Sequence, residues 1–231
     1  MLHVITPSRG RPGNAARLQQ ALRETCAGGF LLVLGVDRDD PDLPAYRQLS
    51  ARDTTVVPGE RRHLTGWTNL LANSVIYGGQ QAQWLASLGD DHLPRTPGWD
   101  EKLIGAIQAM DGPGWAYGDD LLRHEDIPTA WVQSAELVKA LGWMMLPACH
   151  HLGVDLAVRD LGRAAGRIAY EPTVVVEHLH FVNDKAPHDA TYEHGNNPTR
   201  IRDDNHGHAV WLGSEHFVFD VAAVKSLRWE A

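Results

Sequence analysis

Short runs of apolar residues alternate with helical patterns along the first half of the chain. Leu2–Thr6 and Phe30–Val36 are continuous apolar runs, which are typical of strands covered by helices on both faces. Between them, Leu18 and Leu22 lie four residues apart on one face of a predicted helix that Asn14 can cap. The chain is therefore predicted to begin with a β-α-β unit.

The alternation of strand and helix patterns continues to about residue 110. It predicts a short helix, a strand, a helix, a strand and a helix at Leu43–Ser50, Thr54–Pro58, Thr68–Tyr77, Trp84–Leu88 and Trp99–Met110. This order indicates an α/β fold with a mostly parallel sheet. In such a sheet, ligands bind where the carboxyl ends of the strands open toward solvent.

The second half of the chain is less regular. Trp115–Gly118 indicates a strand, and residues 127–143 mix strand and helix signals that the pattern does not separate. A helix is predicted from Asp155 to Ala165, followed by strand-like Ile168–Tyr170 and Thr173–Val176. No repeat and no long linker divides this part, so we expect a single domain.

The C-terminal part is polar and unusually rich in histidine. Six of the 13 His residues follow Leu179, namely His180, His188, His194, His206, His208 and His216. We expect residues 1–180 to form the catalytic domain and residues 181–231 to form an extension that packs on it.

Composition narrows the possible classes of protein. With 231 residues and 43% hydrophobic residues, the chain can bury a sizeable core. Two cysteines, Cys26 and Cys149, are too few and too far apart for a disulfide framework or a zinc ribbon. No apolar run approaches the roughly 20 residues of a membrane span, so we expect a soluble, cytoplasmic protein. The oligomeric state is not predicted.

The formal charge of −8 argues against general adhesion to nucleic acid. A local basic patch formed by Arg9, Arg11 and Arg17 could still face phosphate groups.

Three potential metal ligands follow the predicted Trp84–Leu88 strand. Asp90, Asp91 and His92 are adjacent, in a segment that we expect to be an exposed turn. Carboxylate and imidazole ligands suit Mg²⁺ or Mn²⁺, and a bound cation would offset their charge. A solvated acidic turn is the alternative, since such turns are common at strand ends.

Two further loops leave neighbouring strands at the same edge. The first lacks the glycine spacing of dinucleotide-binding folds and the Gly-Lys-Ser/Thr of a P-loop, but it offers Thr6, Ser8 and Arg9. The second offers Asp37 and Asp39. Together they could hold a nucleotide, with carboxylates accepting hydrogen bonds from base or ribose and arginine facing phosphate. Solvated turn charges are again the alternative.

These motifs, in this order, resemble those of GT-A glycosyltransferases. The resemblance covers roughly residues 1–180 and rests on Ile5–Pro12, Val36–Asp39, Gly89–Pro94 with Gly98–Asp100, and Glu177–His180. It implies a Rossmann-like GT-A fold, with a mixed, mostly parallel sheet flanked by helices. It also implies a UDP-sugar donor and a Mn²⁺ or Mg²⁺ cofactor bound by an Asp-x-Asp motif, whose third position is His92 here.

The resemblance assigns roles to individual residues. Asp90 would contact ribose or a metal-bound water, Asp91 and His92 would form the metal side, and His178 or His180 would complete the metal site. Two histidines on one strand face can equally be structural. The implied nucleotide-sugar site consists of Thr6, Ser8, Arg9, Asp37, Asp39, Arg62 and Asp90.

Inverting members of the family carry a carboxylate at the start of a late helix, which deprotonates the acceptor hydroxyl. Asp155 matches this position, and we expect the helix start to keep it ionised. Glu136 and Asp160 are further candidates for this base. The alternative role of Asp155 is to stabilise the helix dipole.

The acceptor is suggested only by a narrower resemblance. Glu177–His180 with Lys185, Asp189 and Tyr192 is similar to small phage-encoded enzymes, some of which glycosylate 5-hydroxymethylcytosine in DNA. A carbohydrate or small-molecule acceptor is the alternative. Two other classes stay open, a nucleotidyltransferase and a binding protein or metallohydrolase that uses the His-rich tail.

Overall fold

The computed structural model describes residues 1–79, 81–188, 193 and 197–229. The first half alternates strand and helix as predicted. Its elements are β1 (Leu2–Ser8), α1 (Pro12–Thr25), β2 (Phe30–Asp37), α2 (Leu43–Arg47), β3 (Thr54–Gly59), α3 (Leu64–Tyr77) and β4 (Trp84–Ser87).

The second half mixes short strands with helices. Its elements are β5 (His92–Pro94), α4 (Trp99–Gln108), β6 (Trp115–Asp119), β7 (Trp131–Ser134), α5 (Ala135–Leu141), α6 (Val154–Ala165), β8 (Ile168–His178), a 3₁₀ turn (Phe181–Asn183), α7 (Pro198–Leu212) and α8 (Glu215–Ser226).

All eight strands belong to one sheet, in the order β3-β2-β1-β4-β7-β6-β8-β5. Strands β3, β2, β1 and β4 are parallel neighbours, and so are β6 and β8. Strand β7 runs antiparallel to both β4 and β6, and β5 runs antiparallel to β8. The fold is therefore the predicted mixed, mostly parallel sheet flanked by helices.

Two local predictions need correction. Helix α1 begins at Pro12 with Arg11 as its N-cap residue, so Asn14 lies inside the helix instead of capping it. The two strands predicted around Glu171 and Pro172 form one strand, β8, which is exposed at Pro172 and Thr173. A register shift relative to β6 at Gly118 and Asp119 accommodates this irregular stretch.

The segment that mixed strand and helix signals contains both elements. Strand β7 ends at Ser134, whose hydroxyl accepts a hydrogen bond from the Glu136 N–H and so caps α5. The two signals overlapped because no residue separates the strand from the helix.

The C-terminal extension is largely helical and packs on the rest of the protein. Trp211 of α7 and Val224 of α8 are buried against a cluster that includes Trp143, Ala157 and Leu161. Its described part is thus anchored by apolar burial despite its polar composition. Asp189, Tyr192 and His194 lie outside the described residues. No helix in the described ranges is both long and apolar enough to cross a membrane.

Candidate active site

A cleft of about 260 Å³ opens at the carboxyl ends of β1 and β4. It gathers residues that lie far apart in the sequence, including Ser8, Arg9, Arg11, Asp90, Asp91, His92, Thr129, His151, Asp155, His178 and His180. A cavity therefore lies at the edge of the sheet where ligand binding was predicted. Most of the predicted site residues line it.

The acidic segment is buried, which corrects the expectation of an exposed turn. Asp90, Asp91 and His92 are only 6%, 8% and 5% exposed. The reason is the short strand β5, in which His92 pairs with His178 of β8. The sequence pattern did not indicate β5, because three residues are too few to show an alternation.

Asp90 lines the cleft beside Ser8 and Arg11. Its carboxylate accepts a short hydrogen bond from the Ser8 hydroxyl, and the Arg11 Nη1 lies 3.6 Å from Asp90 Oδ1. Burial, together with the neighbouring charge of Asp91, raises the pKa of Asp90 to about 7. Near neutral pH, Asp90 is therefore present in both its ionised and its neutral form.

Asp91, His92 and His178 form a compact three-residue cluster. Each offers one ligand atom, and these three atoms all lie within 4.8 Å of one another. Asp91 Oδ1 lies 3.2 Å from His92 Nδ1, and Asp91 Oδ2 lies 3.7 Å from His178 Nε2. One carboxylate is therefore flanked by two imidazoles.

Burial and neighbouring charges shift the pKa values of the three cluster residues in different ways. Burial acts to raise the pKa of Asp91, but the contacts with His178 and His92 outweigh it and lower that pKa well below the usual range. Burial acts to lower the pKa of His178, but Asp120 and Asp91 on its two sides raise it to about 9. Burial and the charge of His178 lower the pKa of His92. Without a cation, His178 carries the positive charge that balances Asp91.

Asp120 lies behind His178, on the side away from Asp91. Its Oδ2 is 3.8 Å from His178 Nδ1, and its backbone carbonyl accepts a hydrogen bond from the His178 N–H. The Asp120 carboxylate itself is held by three backbone N–H groups and a hydroxyl, those of Leu122, Arg123, His124 and Thr129. A carboxylate behind a ligating imidazole is the usual way to orient it toward a metal.

The cluster fits a divalent cation. His92 Nε2 is buried with no hydrogen-bond partner among the described residues, an arrangement that is costly unless something else satisfies it. Two imidazoles and one carboxylate match the preferences of Mn²⁺ better than those of Mg²⁺, which prefers oxygen ligands. Asp91, His92 and His178 are therefore the candidate metal ligands.

His180 lines the cleft but lies outside this cluster. Its ring centroid is 5.0 Å from that of His178, and its Nδ1 accepts a hydrogen bond from the Val182 N–H. Burial and the charge of His178 lower the pKa of His180 to about 4. Of the two histidines suggested by the sequence, the structure brings His178 to Asp91 and gives His180 the role of capping a 3₁₀ turn.

Asp155 lies in the first turn of α6 and faces the same cleft. Burial raises the pKa of Asp155 above the usual value. The hydrogen bond that Asp155 Oδ1 accepts from the Leu156 N–H lowers this pKa, but by less. Burial therefore opposes the effect expected of the helix start, and the expectation that Asp155 is ionised at neutral pH stays a prediction. The other two base candidates do not line the cleft: Glu136 is exposed beside Lys139, and Asp160 contacts Arg159 and His208.

A second pocket, of about 140 Å³, adjoins the cleft and is rich in basic residues. It shares Ser8, Arg9 and His151 with the cleft and adds Arg61, Arg62, His63, Trp67 and Arg200. We refer to it below as the basic pocket. Such a surface suits an anionic ligand that extends toward the metal cluster.

Asp37 forms part of the wall of the basic pocket, where its carboxylate is already engaged. Oδ1 accepts from the Trp67 indole N–H at 2.7 Å and from the Arg62 backbone N–H at 3.2 Å, while Oδ2 accepts from Arg9 at 2.9 Å. Asp39 is exposed and pairs with the same arginine. Thr6 is fully buried and lines neither cavity, so the structure does not bring this predicted residue to a ligand.

Sequence reasoning missed three residues of the site. Asp120, His151 and Arg200 line it or support it, but each lies in a stretch without a recognisable motif. The adjacent pairs Asp119-Asp120 and His150-His151 were the only signal, and it was weak.

No protein-family model matches the sequence, and comparison with curated proteins finds no match. Comparison with solved structures does find similar folds. A mannosyltransferase from Pyrobaculum calidifontis, solved in complex with GDP-Man and Mn²⁺, matches with a TM-score of 0.61 and 15% identity over 96% of this chain and 73% of that chain. The fold is of the GT-A type.

Two further structures support this fold assignment. The 1–349 fragment of S. aureus TarS in complex with UDP-GlcNAc matches with a TM-score of 0.54 and 12% identity over 78% of this chain. The chain spans 59% of that fragment. A mycobacterial protein matches with a TM-score of 0.53 and 14% identity over 78% of this chain and 68% of that chain.

Proposed function

We propose that the protein is a metal-dependent glycosyltransferase that moves a hexose from a nucleoside-diphosphate sugar to an acceptor hydroxyl. The observation that carries this proposal is the pair of adjoining cavities: the basic pocket borders the cleft whose lining includes both the Asp91-His92-His178 cluster and the carboxylate of Asp155. An anionic donor, a cation and an acceptor hydroxyl each have a suitable place there.

The basic pocket would hold the nucleoside diphosphate. Arg9, Arg61 and Arg62 line it, and arginine binds phosphate oxygens through paired N–H groups. The comparison structures hold UDP-GlcNAc in one case and GDP-Man in another, so UDP- and GDP-sugars are the donors to test first.

Asp91, His92 and His178 would hold Mn²⁺. When bound, the cation would neutralise negative charge on the leaving diphosphate. Ser8 and Arg11 position Asp90 beside this cluster, where it can accept hydrogen bonds from the donor sugar or ribose.

Asp155 would act as the general base of an inverting transfer. The acceptor oxygen forms a bond to the anomeric carbon, the bond from that carbon to the diphosphate breaks, and the acceptor proton passes to the Asp155 carboxylate. The raised pKa of Asp155, caused by burial, makes it a stronger proton acceptor than an exposed carboxylate.

The acceptor stays open. None of the comparison structures is described as modifying DNA, and hydroxymethylated DNA remains a prediction from the sequence resemblance alone. Lys185, one of the residues behind that resemblance, forms an ion pair with Glu177 at 2.7 Å. A carbohydrate or small-molecule acceptor is the alternative.

The decisive experiment measures nucleoside-diphosphate release from UDP-glucose, UDP-GlcNAc and GDP-mannose. We expect slow hydrolysis of at least one donor with Mn²⁺ and none with excess EDTA. Faster release on addition of a candidate acceptor, such as 5-hydroxymethylcytosine DNA or an oligosaccharide, would identify the acceptor class. Absence of binding and of turnover with every donor would refute the proposal.

A further inference from the structure

Helix α7 turns one face toward the active site. Arg200, Asp204, His208 and Trp211 follow one another at intervals of four, four and three residues, which places them along one side of the helix. Arg200 lines the basic pocket, His208 Nε2 lies 3.2 Å from Asp160 Oδ2, and Trp211 is buried against the α6 cluster.

Asp204 makes the strongest contacts on this face. It is fully buried, and its carboxylate accepts hydrogen bonds from three successive backbone N–H groups, those of His150, His151 and Leu152, at 2.7, 3.0 and 2.8 Å. A buried carboxylate is tolerated only when it is well hydrogen-bonded, and here all of its partners belong to one loop. The loop of residues 150–152 is therefore held against α7.

His151 is the member of this loop that reaches both cavities. It lines the basic pocket and the cleft that contains the metal cluster. Its imidazole has no hydrogen-bond partner among the described residues, so it can bond to a ligand. Burial, with the nearby charge of Arg200, lowers the pKa of His151, which keeps the ring neutral near pH 7 with one N–H to donate.

We propose that Asp204 is a positioning residue of the active site: it holds the 150–152 loop so that the His151 imidazole donates a hydrogen bond to the donor diphosphate. The inference rests on the proposed function, because it needs a nucleoside diphosphate that extends from the basic pocket to the metal cluster. It gives the C-terminal extension a part in donor binding, through the 150–152 loop.

The test compares Asp204→Asn with Asp203→Asn. Asp203 is the neighbouring residue on α7, but it is largely exposed and pairs with Arg202, so it is a matched control. In Asp204→Asn, an NH₂ group replaces one of the two acceptor oxygens. It faces a backbone N–H and cannot accept a hydrogen bond from it. We expect hydrogen exchange at residues 150–152 to accelerate at least tenfold and the affinity for UDP or GDP with Mn²⁺ to fall about tenfold. Asp203→Asn should change neither.

A double-mutant cycle separates positioning from general structural damage. His151→Ala should also weaken UDP or GDP binding about tenfold, and His151→Gln, which keeps a donor group, should restore part of it. Because Asp204 acts through His151, the double variant Asp204→Asn with His151→Ala should bind no more weakly than His151→Ala alone.

Additive losses in the double variant, or unchanged affinity in a folded Asp204→Asn variant, would overturn the inference while leaving the proposed function intact. A wild-type protein that binds neither UDP nor GDP would instead overturn the proposed function, and the role of His151 with it. Circular dichroism establishes whether Asp204→Asn folds. If it does not, unchanged affinity in a folded His151→Ala variant overturns the inference.

Discussion

The imidazole rings of His92 and His178 stack with their centroids 4.0 Å apart and their planes 23° from parallel. They are directly opposed in the antiparallel pairing of β5 with β8. A slip of one residue in this register would turn His178 to the other face of the sheet and away from Asp91. Strand pairing therefore sets the geometry of the candidate metal site.

Metal binding is expected to depend on Asp91. Mn²⁺ should raise the melting temperature of the wild type, because a ligand selective for the native state stabilises it by mass action. Asp91→Asn keeps the side-chain volume but removes the anionic ligand, so its melting temperature should not respond to Mn²⁺ and its turnover should be lost. Calorimetry with and without EDTA measures this. Full turnover in excess EDTA would contradict the prediction.

Asp120 is expected to orient His178 for metal binding. Asp120→Asn weakens the acceptor behind the imidazole, and loss of such a partner typically costs 10- to 100-fold in metal affinity. Asp119→Asn is the control, since Asp119 is adjacent but contacts His124 at the surface. Titration of Mn²⁺ followed by electron paramagnetic resonance reports free ion directly. Equal Mn²⁺ affinity in the two variants would contradict the prediction. It would mean that Asp120 serves only to hold its own loop.

Asp155→Asn should lower turnover by roughly a hundred- to ten-thousand-fold, the usual contribution of a positioned base. The affinity for UDP or GDP should stay unchanged, because Asp155 does not line the basic pocket. Glu136→Gln, at an exposed carboxylate outside the cleft, should keep full activity. Near-normal turnover in Asp155→Asn, or a product with retained anomeric configuration, would show that Asp155 is not the base.

The pH dependence of turnover should follow the raised pKa of Asp155. The carboxylate must be ionised to accept a proton, so the rate should fall as the pH falls through this pKa. Because burial raises the pKa of Asp155, the acid limb should lie above the range of an exposed aspartate. The pH profile of kcat in the wild type gives the midpoint. An acid limb near pH 4 would indicate an exposed, unperturbed base.

Asp90 should make the folded protein less stable as the pH rises. Its pKa is raised to about 7, mainly by burial, whereas an unfolded aspartate titrates near 4. The folded state therefore holds a proton that the unfolded state has lost between these values, and the free energy of unfolding should fall as the pH rises from about 4 to about 7. Asp90→Asn should remove this dependence and add at most about 4 kcal/mol of stability at pH 8.

Chemical denaturation at pH 5 and pH 8 tests this prediction. The stabilisation by Asp90→Asn should be larger at pH 8, and turnover of the variant should be reduced because the neutral amide cannot replace the carboxylate near the donor. Equal stabilisation at both pH values would mean that Asp90 stays ionised in the folded state.

Much of the fold follows from local pattern. The apolar runs that form β1 and β2, and the helical spacing of Leu18 and Leu22 in α1, identify the α/β alternation directly. The adjacent residues Asp91 and His92 were also recognisable as candidate metal ligands, because neighbours in sequence must be neighbours in space. Position at the start of α6 likewise marked Asp155 as a candidate base.

Only the tertiary structure could decide the rest, since it depends on contacts between distant segments and on burial. The pairing of β5 with β8 selects His178 over His180, and it buries Asp90, which the sequence suggested was exposed. Burial within β1 likewise keeps Thr6 away from both cavities. Asp120 meets His178 across 58 residues of sequence, and Asp204 meets the 150–152 loop across 52 to 54. Periodicity reports which face of an element is apolar, but it carries no information about which element that face will meet.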